Sequence, residues 1–327
     1  MTTLSTTDLT QLISECFITH GLNEEDANRM AELLVEGEMR GRLHHGVILT
    51  EMYVKRIGEK RSDPVIEWDM GAFVRIDGGN GLGPLVADYT AKTIIQRCRQ
   101  MGVSFAGVHN ESPFAMAGSH SAQIARKGCV GIAICNSRSR VAPLGAYEPV
   151  FGPNPIAISF PRTKGKPLTV DFTTSSLSMA EIRELHTKNE QLPDGVAFDK
   201  RGNPTRSAEE ALEGAVLPFG GHKGYALALA IELLAGPMAG AKAGKTVPGT
   251  RGFLIGAWCF PSELEHTEFE GKVQQLLQEI LKCKTQSGKP PRVPGLTSID
   301  RQETALKDGL TIDDDLYQNL RALAGRH

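Results

Sequence analysis

A chain of 327 residues, 40% hydrophobic and 23% charged, is large enough for two or three compact cores and has the makeup of an ordinary globular protein. A net charge of −2 excludes the basic footprint of a nucleic-acid binder, and no apolar run approaches the roughly 20 residues that span a bilayer. The opening, MTTLSTTDLTQL, has no basic start and no apolar stretch, so it does not read as a secretory signal and a cytoplasmic protein is expected. Cys16, Cys98, Cys129, Cys135, Cys259 and Cys283 form no C-x-x-C pair, and they read as reduced, buried small hydrophobes.

In chain order, STTDLTQLISECFITHG offers capping residues, apolar positions at helical spacing, and Gly21 as a stop. LNEEDANRMAELLVEGEMRG repeats the pattern from Asn23, with acidic residues in its first turn. The first sixty residues therefore read as a helical unit, with His44 and His45 just beyond its second helix. FVRIDGGNGLGPLVADYTAKTIIQRCRQMGVSFAGVHN reads as strand, Gly-rich turn, helix and strand. SAQIARKGCVGIAICNS is a helix followed by a strand, and NPIAISFPR and PLTVDFTTS are two more strands. TKNEQLPDGVAFDKRGNPTRSAEEA is the most loop-like long stretch. GGHKGYALALAIELLAGPMAGA predicts a helix apolar enough to lie inside a core, GFLIGAWCF a strand, and two amphipathic helices follow. There are no repeats and no low-complexity tails.

A dinucleotide fold of the Rossmann kind carries G-x-G-x-x-G between strand and helix. DGGNGLGP has the wrong spacing and runs straight into a proline, and GGHKGY lacks the P-loop spacing. Adjacent His44 and His45 point apart, and no H-x-x-x-H or histidine-rich partner run accompanies them, so no metal site is expected. What remains is a series of polar, Gly-rich turns: HNESPFAMAG, FGPNPIA, DFTTSSLSMAE, LPFGGHKGYAL and PRVPG.

In this order those turns resemble the malate/L-lactate dehydrogenase family, which is unrelated in fold to the ordinary lactate and malate dehydrogenases. The family includes ureidoglycolate and sulfolactate dehydrogenases, diketogulonate reductase, and reductases of Δ1-piperideine- and Δ1-pyrroline-2-carboxylate. FGPNPIAISFPR resembles a family G-T-N-P-I-A pattern, VDFTTS resembles D-x-A-T-S, and HHG stands where S-H-G is usual. LPFGGHKGYALALAIELLAG is nearly verbatim, and the resemblance covers almost the whole chain.

The resemblance implies an α/β, malate/L-lactate dehydrogenase-like fold with helical N- and C-terminal segments. It implies a helical segment 1–60 contributing to the catalytic domain, a catalytic and dimer domain from 61–110 plus 250–327, and a non-Rossmann NAD(P)H-binding domain at 111–249. A homodimer is usual, and NADPH is favoured over NADH. His45 matches the catalytic histidine, with His44 beside it. Asn110, Glu111, Ser112, Pro113 and Phe114 match a cofactor loop, and Asp171, Phe172 and Thr173 a cofactor-binding strand end. Met179 and Ala180, Gly221 and His222, and Arg292, Pro294 and Gly295 match further cofactor contacts.

The departures fall on the substrate side. The serine before the histidine is His44, the arginine that grips the substrate carboxylate is Leu49, and the threonine of G-T-N-P is Pro153. The family's N-H-F-G has become Ser112-Pro113-Phe114-Ala115. Glu181 stands where the imine reductases carry an acidic partner to the histidine.

A histidine titrating near neutrality can protonate a carbonyl oxygen as hydride arrives, and an adjoining carboxylate would favour its charged form. An arginine fork is the best grip on a carboxylate, which Leu49 cannot supply. A protonated cyclic imine is already electrophilic, so it tolerates these losses better than a 2-oxo acid does. The leading expectation is thus reduction at C2 of a small 2-imino acid. A 2-hydroxy-acid dehydrogenase acting on 2-oxo acids comes second, and a non-catalytic cofactor-binding homologue third. Arg40, Arg42 and Lys223 are candidates for the missing carboxylate partner.

Overall fold

Side-chain caps open the first helices where the sequence predicts them. After a short strand β1 (Thr2–Leu4), α1 (Thr6–Thr19) begins at Ser5, whose Oγ accepts the Asp8 amide at 3.0 Å, and α2 (Glu24–Met39) at Asn23, whose Oδ1 accepts the Asp26 amide at 2.9 Å. Each such cap is worth about 1 kcal/mol. The apolar faces then meet: Leu9, Ile13 and Phe17 pack on Ala27, Met30 and Leu34, and Val47, Tyr53 and Leu320 join the same core. The computed structural model describes residues 1–163, 165–247, 251–286 and 288–326.

The elements continue as α3 (Thr50–Val54), β2 (Val65–Asp69), β3 (Phe73–Gly81), α4 (Gly83–Met101), β4 (Val103–Glu111), α5 (Ala117–Ala125), β5 (Val130–Cys135), β6 (Ile156–Phe160) and β7 (Leu168–Phe172). Then come α6 (Met179–Thr187), β8 (Ala197–Phe198), α7 (Ala208–Glu213), β9 (Ala215–Val216), α8 (His222–Ala235), β10 (Arg251–Trp258), α9 (Glu263–Leu281), α10 (Leu296–Asp308), β11 (Leu310–Ile312) and α11 (Asp314–Leu323). Seven strands form one sheet in the order β2-β3-β4-β10-β5-β6-β7. Every neighbouring pair is antiparallel except β3–β4, which α4 joins as a crossover. A Rossmann sheet is mostly parallel, so the expected non-Rossmann α/β fold is what the chain adopts. The main core lies between the sheet and α4 and α5, with Val74, Ile76, Val108, Phe253 and Ile255 against Ala91, Ile94 and Ile124.

The glycine of GLGP serves a close approach within the protein itself. A Cβ at Gly83 would lie 2.1 Å from the Ser112 carbonyl oxygen and 2.5 Å from that of Pro113, and the Gly83 amide donates to Ser112 Oγ at 2.7 Å. Gly83→Ala is expected to cost roughly 1–3 kcal/mol by overpacking, read as a lower urea midpoint with an unchanged slope.

Two sequence expectations need correction. α8 is not a core helix: Gly224, Ala228, Ile231 and Ala235 face the protein, whereas Leu229, Leu233 and Leu234 are exposed. Its small residues recur at helical spacing and seat one face on Ile134 and Leu254, leaving the leucines on the other. The loop-like stretch holds β8 and the start of α7, because Leu192, Ala197, Ala208 and Ala211 form a small core with Ile182 and Val216. One sheet spans the segments 61–110 plus 250–327 and 111–249, since β10 pairs with both β4 and β5. The boundary expected at 249–250 lies outside the described residues. The pairing of β1 with β11 was not foreseen; it joins the two ends of the described chain.

Candidate active site

The His44–His45 segment is two successive 3-10 turns, Leu43–His45 and Val47–Leu49, that follow α2. Glu38, buried near the end of α2, holds them: its Oε1 accepts the Val47 amide at 3.0 Å. A Cβ at Gly46 would lie 2.2 Å from that same oxygen, so the glycine of H-H-G is what lets the loop close on the carboxyl group.

Burial pushes the Glu38 carboxyl up to about 7, with the Val47 amide pulling the other way. A carboxyl raised in the folded state adds stability below its unfolded value and loses it as pH rises through the folded one. Glu38→Gln keeps the acceptor oxygen and removes the charge. Relative to wild type it is expected to gain up to about 3 kcal/mol between pH 5 and 8. Parallel pH dependences of the two melting temperatures would remove this assignment.

His44 and His45 both line a cleft of about 1030 Å³. A helical stripe forms one wall: Leu49, Met52, Tyr53 and Arg56 all face in, at the i, i+3, i+4, i+7 spacing of one helix face. Tyr53 fixes this wall to the opposite loop by donating to the Pro113 carbonyl at 2.6 Å. The end of β7 supplies Asp171, Phe172 and Thr173, and the start of α6 supplies Met179, Ala180, Glu181 and Arg183. Ser137, Arg138, Arg140 and Pro153 close another side.

The Asp171 carboxylate accepts the Gly118 amide at 3.2 Å, and the Asp171 carbonyl accepts from Arg42 at 3.4 Å. Burial pushes the Asp171 carboxyl above the usual carboxylate range, against the pull of Arg42 and Arg40. Phe172 and Phe219 meet edge to face at 5.9 Å within the cleft.

Several predicted residues therefore converge: His44, His45, Leu49, Pro113, Phe114, Pro153, Asp171, Phe172, Thr173, Met179, Ala180 and Glu181 all line this cleft. Two of them have a further role. Glu181 Oε2 accepts the Ser178 amide at 2.7 Å while Ser178 Oγ accepts the Glu181 amide at 3.1 Å. That reciprocal pair is a capping box that starts α6, while Glu181 also lines the cleft with His45. Phe114, at the rim, stacks on His120 and Phe253 and belongs largely to the core.

Asn110, Glu111, Ser112, Gly221, His222, Arg292, Pro294 and Gly295 do not line the cleft. Glu111 and Ser112 are buried at the end of β4. Gly295 caps α10 and packs on β7, where an added Cβ would lie 2.5 Å from the Thr169 carbonyl. Gly221 caps α8 with open space around it; the cleft residue of that turn is Phe219.

Among the candidates for a carboxylate partner, Arg40 is buried against Glu36 at 2.7 Å and Lys223 does not reach the cleft, whereas Arg42 does. Sequence reasoning missed Arg56, Arg138, Arg140 and Arg183. The helical spacing of Arg56 from Leu49 was the available signal; the other three lie on loops and on α6, with no periodicity to place them. Asn154 of the GPNP turn is fully buried and donates to Glu232 at 2.6 Å, tying that turn to α8.

The cleft fits a nucleotide with a small substrate beside it. Its volume reaches the upper end of ordinary ligand sites, about 300–1,000 Å³. Ser137 lines it, and its buried Oγ, set against Gly152, has no hydrogen-bond partner among the described residues. Two histidines, an aromatic pair and several guanidinium groups gather around one cleft.

The sequence pattern of the malate/L-lactate dehydrogenase family matches residues 4–321. A malate/(S)-sulfolactate dehydrogenase of Methanothermus fervidus is 35% identical over 316 residues, 93% of this chain and 92% of that protein. The solved sulfolactate dehydrogenase of Methanocaldococcus jannaschii superposes with a TM-score of 0.91 at 32% identity, covering 99% of this chain and 97% of that one. The Δ1-piperideine-2-carboxylate reductase of Pseudomonas syringae pv. tomato superposes at 0.86 with 28% identity, covering 99% and 100%. The chain is an NAD(P)-dependent oxidoreductase. It belongs to the malate/L-lactate dehydrogenase family.

Proposed function

We propose that the protein moves hydride between NADPH and C2 of a small 2-oxo or 2-hydroxy acid carrying a second anionic group. The observation that carries this reading is the charge of the cleft. Arg42, Arg56, Arg138, Arg140 and Arg183 line it, against the acids Asp171, Glu181 and Glu184. Such a lining attracts dianions and repels an iminium ring.

In this reading the bound nicotinamide supplies or accepts the hydride. His45 gives a proton to the C2 oxygen during reduction and takes it back during oxidation. Arg56, on the same helical stripe as Leu49, replaces the family's arginine as the fork for the C1 carboxylate. Tyr53, locked to Pro113, fixes the distance between that stripe and the opposite wall. The arginine surplus supports NADPH, whose additional phosphate needs a cationic partner, over NADH.

A homodimer fits the exposed Leu229, Leu233, Leu234 and Met238 on and after α8. A cytoplasmic setting fits the free thiols. Among the described residues no helix is long and apolar enough to cross a membrane.

A cyclic 2-imino acid is the second reading, favoured by the apolar faces of Leu49 and Met52 beside His45. NADPH oxidation separates the two. Oxaloacetate and 3-sulfo-2-oxopropanoate are expected to give a higher kcat/KM than pyruvate, and Δ1-piperideine-2-carboxylate the lowest. Turnover of the imine without turnover of either dianion would overturn the proposal.

A further inference from the structure

Three of the six cysteines, far apart in the sequence and expected to act as separate buried hydrophobes, meet at one end of the sheet. The Sγ atoms of Cys98, Cys129 and Cys259 all lie within 4.8 Å of one another, and those of Cys129 and Cys259 are 2.7 Å apart. Cys98 and Cys129 are buried and Cys259 is half-buried, while Cys283 stands exposed elsewhere. β4 runs from this end, at Val103, over nine residues to Glu111, two residues before Pro113 of the cleft lining, so the cluster lies at the opposite end of that strand from the cleft. At roughly 3.3 Å per residue the strand is near 30 Å long.

The sheet register decides what the cluster can do. Trp258 pairs with Val130, so Cys259 and Cys129 are the next opposed residues outward between β10 and β5. The Cys259 amide donates to the Gly102 carbonyl at 2.9 Å, on the β4 side. A strand residue points its N–H and C=O to the same side, so Cys259 makes no ladder bond towards Cys129. The pair is thus of the close, non-hydrogen-bonded type, with Cα atoms about 4.5 Å apart. That separation falls within the range a disulfide needs, about 4.4–6.8 Å. Cys98, whose Sγ donates to the same Gly102 carbonyl at 3.4 Å, completes the group.

Two chemistries compete for three thiols. A divalent ion held by three thiolates would carry a net negative charge into a site lined by the apolar core that Cys98 and Cys129 belong to. Burial already pushes the Cys129 thiol up to about 12 and that of Cys98 up as well, which opposes thiolate formation there. A disulfide is neutral and meets no such cost.

We propose that Cys129 and Cys259 form a reversible oxidation site that takes a low-molecular-weight disulfide as its co-reactant. The half-buried Cys259 thiol loses its proton and attacks one sulfur of that disulfide, releasing the first small thiol. Cys129 then loses its proton and attacks Cys259 Sγ, releasing the second. Two protein thiols are oxidised, and one small disulfide is reduced to two thiols. The new bond staples β5 to β10 across 130 positions of sequence. Cys98, within 4.8 Å of both, can exchange with this bond, forming a disulfide to one partner and freeing the other thiol, while an external small thiol reduces the site back.

Oxidised glutathione is incubated with the purified protein, remaining thiols are alkylated in denaturant, and the digest is mapped. A linked Cys129–Cys259 peptide is expected, lost in Cys129→Ala and in Cys259→Ala but retained in Cys98→Ala. The urea midpoint of the oxidised wild type should rise and fall back with dithiothreitol. Full alkylation of all six thiols after oxidation would overturn the proposal, as would links formed through Cys283 instead. So would stoichiometric Zn²⁺ binding that each of the three alanine variants abolishes and that blocks the oxidation.

Discussion

Replacing His45 by alanine is expected to cut turnover about 10²-fold or more while leaving the NADPH dissociation constant within a factor of two or three. His45 lines the cleft from a 3-10 turn held by Glu38 and does not belong to a hydrophobic core, so the fold should survive its truncation. His44 provides the control. It sits beside His45 and faces the same cleft, and His44→Ala is expected to change KM more than kcat. A loss of comparable size in kcat for both variants would mean that the two imidazoles share the proton. Unchanged turnover in His45→Ala would transfer the acid role to another group.

Arg56→Leu should have the second largest effect, and on a different parameter. A bidentate guanidinium–carboxylate contact in a partly desolvated cleft is worth about 2–4 kcal/mol, so kcat/KM for a 2-oxo acid is expected to fall about 10²-fold, mostly through KM. Lysine restores charge but not the fork, so Arg56→Lys should recover part of the loss. Arg56 has a side-chain partner in Glu59 at 3.2 Å, which substrate would have to share or displace. Leu49→Arg in the Arg56→Leu background should restore 2-oxo-acid binding, because the two positions lie on one stripe of the cleft wall. If Arg56→Leu binds the substrate as wild type does, the carboxylate is held by Arg42, Arg138, Arg140 or Arg183.

The helices were the most legible part of the sequence. Ser5 and Asn23 are side-chain caps whose effect is local, and the apolar spacing of α1 and α2 needs no distant partner to be read. α8 was legible as a helix but not in its burial, because an apolar sequence does not say whether the other face meets this chain or something else. The loop at His45-Gly46, singled out by local chemistry and resemblance, lines the cleft. The capping box of Glu181 went unread in the sequence, although Ser178 three residues earlier was the sign of it. Arg138 and Arg140 could not have been placed: they follow β5 on a loop whose path depends on Val141 bridging to Phe151 and Val216. The three thiols were invisible for the same reason, since only the sheet order brings residues 98, 129 and 259 together.

The sheet order also sets a schedule for the growing chain. β4 and β5 are not neighbours; the strand between them is β10, which is not complete until residue 258. As the polypeptide leaves the ribosome, β3 can already pair with β4, and β5 with β6 and β7. Each of these half-sheets then carries an open inner edge, FAGV on one side and GIAIC on the other, both apolar and unpaired. Such edges are templates for other chains. Nascent molecules on crowded polysomes are thus exposed to cross-pairing for as long as the 115 residues between β5 and β10 take to emerge. The finished enzyme carries no trace of that hazard, because insertion of β10 removes both edges in one step.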